Sequence, residues 1–317
     1  MGIIAIAGGT GGIGRALVEA VVARGVHQVK VLGRKTNDDL AKQLGVPILV
    51  ADYTSVEQLT KLFEDEKIDT VLSTLSTMPQ EGVPPEVNLV RAAQASKATK
   101  RFMPSNWGLP LTGAPAQKLP STVMKAQTLA ELAKTDLQYT SFYVGFLTDF
   151  FGTPAIKTYM APMIAVIDMA HDMAAIPGSG DTPVTFTHTF DLAKYVDRVL
   201  DLSKWDPEYY VIGDKVTWNQ FVEIAEKAKG TKFKVVHDSV EDLMQGKATE
   251  LPALTKALPY IPIPKEHLLA FAATFGLMFD DGTMNFDEKL ALNSKYPDIV
   301  PLKVKDAVEA AIKATAA

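Results

Sequence analysis

Gly8-Gly9-Thr10-Gly11-Gly12-Ile13-Gly14 lies between Gly2-Ile3-Ile4-Ala5-Ile6-Ala7, an apolar run that reads as a buried strand, and Arg15-Ala16-Leu17-Val18, which reads as the start of a helix. A glycine-rich spacing alone is a weak signal. Between a strand and a helix it supplies a tight turn, close backbone approach to a pyrophosphate, and amides aimed at the anion. Gly8, Thr10, Gly11, Gly12, Ile13 and Gly14 are therefore candidate dinucleotide contacts; the alternative is a glycine-rich turn without ligand.

Outward from this loop, Gln28–Leu32, Pro47–Val50, Thr70–Thr74 and Arg101–Pro104 read as further strands, and Leu137–Val144 as a sixth. Val87–Ala98 and Thr122–Lys134 have helical apolar spacing. Such alternation predicts an α/β fold, a doubly wound parallel Rossmann sheet. Beyond about residue 150 the pattern gives way to aromatic, Met- and Pro-rich sequence, including Phe150-Phe151, Tyr159–Met163 and Leu258–Pro264, whose prolines forbid one continuous helix. Asp191–Leu200 and Trp218–Lys229 keep helical spacing. The expected division is a dinucleotide-binding domain over 1–152 and a smaller mixed α/β, mostly substrate-binding region over 153–317, with segments near 184–215 packing back on the sheet.

The 317 residues, 47% of them hydrophobic, can bury a substantial core, and the absence of cysteine excludes disulfides, thiolate catalysis and cysteine-ligated metal. No His-x-x-x-His, His-Glu-x-x-His or carboxylate cluster suggests a metal. The longest apolar run, Leu268–Phe279, is shorter than the roughly 20 residues of a membrane span. A net charge of -5 offers no electrostatic footprint for direct nucleic-acid binding. With the first residues already in the nucleotide-binding strand, a cytoplasmic location is the expectation.

In NAD-binding Rossmann folds an acidic residue closes the second strand and accepts hydrogen bonds from the adenosine ribose. Here Leu32-Gly33-Arg34-Lys35 puts two cations in that place, suited to a 2′-phosphate and hence to NADPH. Asp52, at the end of the third strand, is a candidate neighbour of the adenine. Carboxyl ends of the fourth and fifth strands flank the cofactor crevice, which selects Thr74 and Leu75 on the pyrophosphate side and Asn106 and Trp107 toward the nicotinamide. Each is also compatible with ordinary loop structure.

Arg101-Phe102-Met103-Pro104-Ser105-Asn106-Trp107-Gly108 resembles the Arg-Phe-x-Pro-Ser-Glu-Phe-Gly segment of the isoflavone reductase-like and NmrA-like branch of atypical short-chain dehydrogenases. Gly178–Asp181 with Phe186–Ala193, Val216–Gln220 and Tyr296-Pro297-Asp298 resemble further blocks of that family in order, across nearly the whole chain. The resemblance implies that Lys125, in Val123-Met124-Lys125-Ala126, matches the lysine proposed as acid/base beside the nicotinamide. Hydrogen bonding to the nicotinamide ribose is its other possible role.

Ser121 stands four residues before Lys125, where familiar short-chain dehydrogenases carry a tyrosine, so the Tyr-x-x-x-Lys mechanism is not available. Asn106-Trp107 replaces Glu-Phe, and Gly145-Phe146 is similar to NmrA-like members rather than to isoflavone-type reductases. Trp107, Gly145, Phe146, Phe150 and His171 are the candidate substrate contacts. The resemblance implies an NADPH-dependent oxidoreductase acting on an apolar, aromatic or conjugated carbonyl. A dinucleotide-sensing regulator without turnover, and a redox-neutral isomerase retaining NADP, remain alternatives on the same fold.

Overall fold

The N-terminal apolar run forms strand β1, Ile3–Ala7, buried at every position but the first. It pairs in parallel with β2, Gln28–Gly33, on one side and with β4, Thr70–Ser73, on the other. Covered on both faces, such a strand has no polar alternation. Ile4 and Ile6 enter the core on one side, Ala5 and Ala7 on the other. The computed structural model describes residues 2–78, 82–111, 119–163, 165–258 and 264–316.

With β3 (Ile48–Val50), β5 (Arg101–Met103) and β7 (Gln138–Tyr139), these strands make a six-stranded parallel sheet in the order β3-β2-β1-β4-β5-β7. The order reverses between β1 and β4, which opens a crevice at their carboxyl ends. Helices α1 (Gly12–Arg24), α2 (Asp38–Leu44), α3 (Val56–Asp65), α4 (Pro85–Ala95) and α5 (Pro120–Leu132) flank the sheet, giving the Rossmann architecture expected from the sequence.

The single strand expected over residues 137–144 is divided. β7 ends at Tyr139, and at Thr140, wholly buried, the chain leaves the main sheet. The next amide, of Ser141, donates to Pro207 O at 3.2 Å. β8 (Ser141–Tyr143) then runs parallel to both β6 (Trp107–Gly108) and β13 (Glu208–Tyr210). Short strand β9 (Phe146–Leu147) pairs with β12 (Val184–Thr187), whose other neighbour is β14 (Asp214–Val216). A third small sheet combines β10 (Ile167–Asp168), β11 (Met173–Pro177) and β15 (Lys234–Asp238).

The remaining helices are α6 (Asp149–Gly152), α7 (Thr189–Leu200), α8 (Trp218–Lys229), α9 (Val240–Met244), α10 (Pro252–Ala257), α11 (Lys265–Asp280) and α12 (Val304–Ala316). α7 packs on α1, sharing one core, and Arg24 of α1 binds the buried Asp197 of α7. A second core is aromatic: Phe146 and Trp218 meet Phe279 edge-on at 5.2 and 5.0 Å. Leu268–Phe279 belongs to α11, and among the described residues no helix is long and apolar enough to cross a membrane. Most of the proline-rich Leu258–Pro264 run, residues 259–263, lies outside the described residues.

Candidate active site

The glycine loop closes against the end of β4. Gly8 has φ +81°, and a Cβ there would lie 2.7 Å from Thr74 Oγ1. A Cβ on Gly14 would lie 2.4 Å from the same oxygen and 2.5 Å from Gly8 O. Thr74 holds its place by donating both N–H and Oγ1–H to Ala7 O at 2.8 Å. A Cβ on Gly11 would meet nothing within 4 Å, so the loop is packed tightly on the protein side and open on the other.

Beside it lies a cavity of about 280 Å³ whose walls include Gly8, Thr10, Gly33, Arg34, Tyr53 and Leu75. Arg34, directly after β2, is exposed. The Tyr53 hydroxyl donates to Leu32 O at 3.0 Å, which fixes its ring as a wall; burial pushes that phenol well above its ordinary range. Lys35 and Asp52, both exposed, are not among the lining residues. The Asp52 carboxylate accepts instead from Thr54 Oγ1 and N at 2.6 and 2.9 Å, bonds that hold it below the usual carboxylate range.

A separate cavity of about 230 Å³ brings together Trp107, Lys125, Gly145, Phe146 and Phe150. Leu109, Leu119, Ser121, Met163 and Phe275 complete much of its wall. Gly145, at φ +70°, is required by the backbone: a Cβ would sit 2.3 Å from Thr185 O. Trp107 presents little surface. Its Nε1 donates to Ser73 O at 2.8 Å and its ring stacks on Phe142 at 5.7 Å, so most of the indole is core. Asn106 lies beneath, 1% exposed and off the cavity wall. Its Nδ2 donates to Ser141 Oγ at 3.2 Å, while Oδ1 is buried without a partner among the described residues.

Lys125 lies on the inner face of α5, with Nζ 3.9 Å from where a Gly108 Cβ would be. Among the described residues no acceptor hydrogen-bonds this ammonium. Burial pushes its pKa below the ordinary lysine value, and the charge of Glu86 works in the opposite direction. Glu86, buried in the first turn of α4, is a site neighbour that sequence reading missed. The available signal was slight: Glu86 is the lone carboxylate of a helix that also carries Asn88, Arg91 and Gln94.

His171 is not in this cavity. Its Nδ1 lies 2.9 Å from the buried Asp168 carboxylate, and its Nε2 2.8 Å from Lys256 Nζ. His188 is likewise structural, with Nε2 3.0 Å from Lys157 O and its ring stacked on Phe190.

Residues 2–294 match the NmrA-like family. This chain belongs to that family. Among its NmrA-like and reductase relatives, "Oxidoreductase BOA1" of Botryotinia fuckeliana is 34% identical over 94% of this chain and 95% of its own. "Oxidoreductase swnN" of Metarhizium robertsii is 32% identical over 80% and 82%. At the level of reaction class, this NmrA-like chain falls among oxidoreductases. The fold agrees with that of the leucoanthocyanidin reductase–NADPH complex from Vitis vinifera, at TM-score 0.75 and 20% identity over 98% of this chain and 100% of that one. It also agrees with AtPrR2 holding NADP+ and (+)pinoresinol, at TM-score 0.74 and 20% identity over 98% of each chain.

Proposed function

We propose that the chain is an NADPH-dependent reductase of an apolar, aromatic or conjugated carbonyl, with Lys125 assisting proton transfer. The observation carrying this reading is the Lys125 ammonium, half-buried on the wall of an otherwise apolar cavity and without a hydrogen-bond partner among the described residues. The glycine loop fits a dinucleotide: Gly8 and Gly14 press against Thr74, while the space beside Gly11 is open for backbone approach. Arg34 beside the Tyr53 wall supports NADPH over NADH, because a guanidinium can hold a 2′-phosphate bidentately.

Bound in this crevice, NADPH would supply the hydride. Lys125 would hold a proton at Nζ for the oxygen of the substrate, and burial, by lowering its pKa, makes that proton easier to give. Phe146, Phe150 and Phe275 would exclude water and favour a flat or apolar partner. In this reading 1–152 supplies the dinucleotide site and much of the substrate wall, and 153–317 adds Met163 and Phe275.

The test is NADPH consumption with a panel of aromatic ketones, enones and quinones, with products identified and Lys125→Met as comparison. Turnover lost in Lys125→Met with NADPH affinity retained supports the proposal. Tight NADPH binding without turnover of any compound, and with the variant indistinguishable, favours a sensor; product formed without NADPH loss favours an isomerase.

A further inference from the structure

Among the described residues Glu86 is the one buried carboxylate beside Lys125, and its role is not accounted for by the proton transfer. Its side chain joins three elements that converge on the crevice. Oε1 accepts from Ser105 N at 2.5 Å, in the turn after β5. Oε2 accepts from Thr128 Oγ1 at 3.0 Å, on α5 less than one turn beyond Lys125. The hydroxyl of Ser73, at the end of β4, is a third donor. These partners are themselves tied to the crevice: Ser105 Oγ donates to Leu75 O at 2.8 Å, and Ser73 O accepts from Trp107 Nε1 at 2.8 Å.

The neighbours are polar but neutral. Ser73 on β4, Ser105 after β5 and Thr128 on α5 donate hydrogen bonds without bringing charge, and Glu86 is the only charge acting on Lys125 among the described residues. Burial pushes the Glu86 pKa above the ordinary carboxylate value, while the hydrogen bonds from Ser73, Ser105 and Thr128, the Lys125 charge and the helix dipole at the start of α4 all work toward the ionised form. We propose that Glu86 is the positioning residue for Lys125, fixing α5 against the two strand ends and setting the charge that Lys125 carries.

The inference rests on the reading of Lys125 as the proton-transfer group, and it predicts something that reading does not. A carboxylate held only for stability would affect melting alone. One that governs Lys125 must move its titration, because removing a nearby negative charge disfavours the ammonium.

The experiment follows the Lys125 13Cε resonance against pH in the full-length protein, assigned by its loss in Lys125→Arg. Glu86→Gln preserves volume and can still accept from Ser105 N. It should lower the Lys125 pKa by about one pH unit, the lower end of the effect of one adjacent opposite charge. Thr128→Val, which removes a single donor to Oε2, should produce a smaller fall in the same direction and carries the test if Glu86→Gln does not fold. An unmoved Lys125 titration in the folded variants would overturn the proposal, even if melting falls. If Lys125→Met keeps full turnover while Glu86→Gln shifts the resonance, the proton-transfer reading fails and the Glu86–Lys125 coupling stands.

Discussion

Gly14→Ala adds one methyl group where there is no room for it. The new carbon would lie 2.4 Å from Thr74 Oγ1 and 2.5 Å from Gly8 O, whereas unstrained contacts to carbon fall near ~3.5 Å. About 1 Å must be opened against two atoms at once, and one of them is backbone. Rotating Thr74 relieves only the first contact, and gives up the Oγ1–H bond to Ala7 O. Overpacking of this kind costs about 1–3 kcal/mol. At roughly 2–4 °C per kcal/mol for a chain somewhat smaller than this one, melting should fall by about 2–12 °C.

Gly11→Ala is the control on the same loop. Its φ of -161° is extended backbone open to any residue, and its Cβ would meet no atom within 4 Å. Melting without ligand should stay at the parental value. The two variants are compared by differential scanning fluorimetry with and without NADPH, and by fluorescence titration of the dinucleotide. A Gly14→Ala protein with parental melting and affinity would refute the packing argument, as would an equal loss in apo Gly11→Ala, because a Cβ there meets no atom and removing a glycine's unfolded-state freedom stabilises rather than destabilises.

Arg34→Ala should weaken NADPH by about 1.5–3 kcal/mol, the worth of a charge-assisted hydrogen bond, and leave NADH nearly unchanged; equal losses for both nucleotides would remove Arg34 from 2′-phosphate recognition. Glu19 on α1 accepts from Lys157 and Tyr159, whose segment brings Met160 Sδ to 3.7 Å from a Gly12 Cβ position. Glu19→Gln should therefore quicken NADPH release in stopped-flow displacement, and an unchanged off-rate would separate that segment from the cofactor. Burial works to raise the Glu19 pKa, but hydrogen bonds from Lys157, Tyr159 and Arg15 prevail and hold it below the ordinary carboxylate value. Its folded value lies below its unfolded one, so the stability it adds is present above the unfolded pKa and disappears as pH falls through the folded value. Glu19→Gln should flatten that acid limb in melting experiments.

Local chemistry made much of the fold legible. α8 runs over Trp218–Lys229 as its spacing indicated, because Thr217 and Gln220 form a capping box at one end and Gly230, at φ +71°, ends the other. The strand over 137–144 was harder, since an apolar run does not reveal that Thr140 passes from one sheet to another. The partner that decides it, Pro207, is remote in sequence.

The site divides in the same way. Gly8, Gly14 and Gly145 are set by backbone geometry, and Lys125 was found through the family's helix. Glu86 escaped because a glutamate in a helix's first turn ordinarily faces water and complements the dipole. Its burial exists only once β4, β5 and α5 have converged. Asn106 and His171 are the reverse case: polar residues well placed in sequence whose side chains the fold turns toward Ser141 and Asp168.

These placements restrict the proton chemistry open to the apolar cavity. Among its described lining residues Lys125 is the only group that titrates between acid and moderately alkaline pH; Ser121 offers a hydroxyl, and a serine without a base is a poor proton donor. If Lys125 is the acid, kcat must fall as pH rises through its pKa, because the ammonium is then lost. Burial places that limb below the ordinary lysine value of about 10.4. With no second titrating side chain on the described wall, the profile at saturating NADPH should have this alkaline limb and a plateau on its acid side down to the onset of unfolding. Lys125→Met should abolish the limb together with most of the rate. A bell-shaped profile in the parent, retained in a folded Lys125→Met protein, would mean that proton transfer passes through a group outside this wall, and the single-lysine mechanism would be refuted.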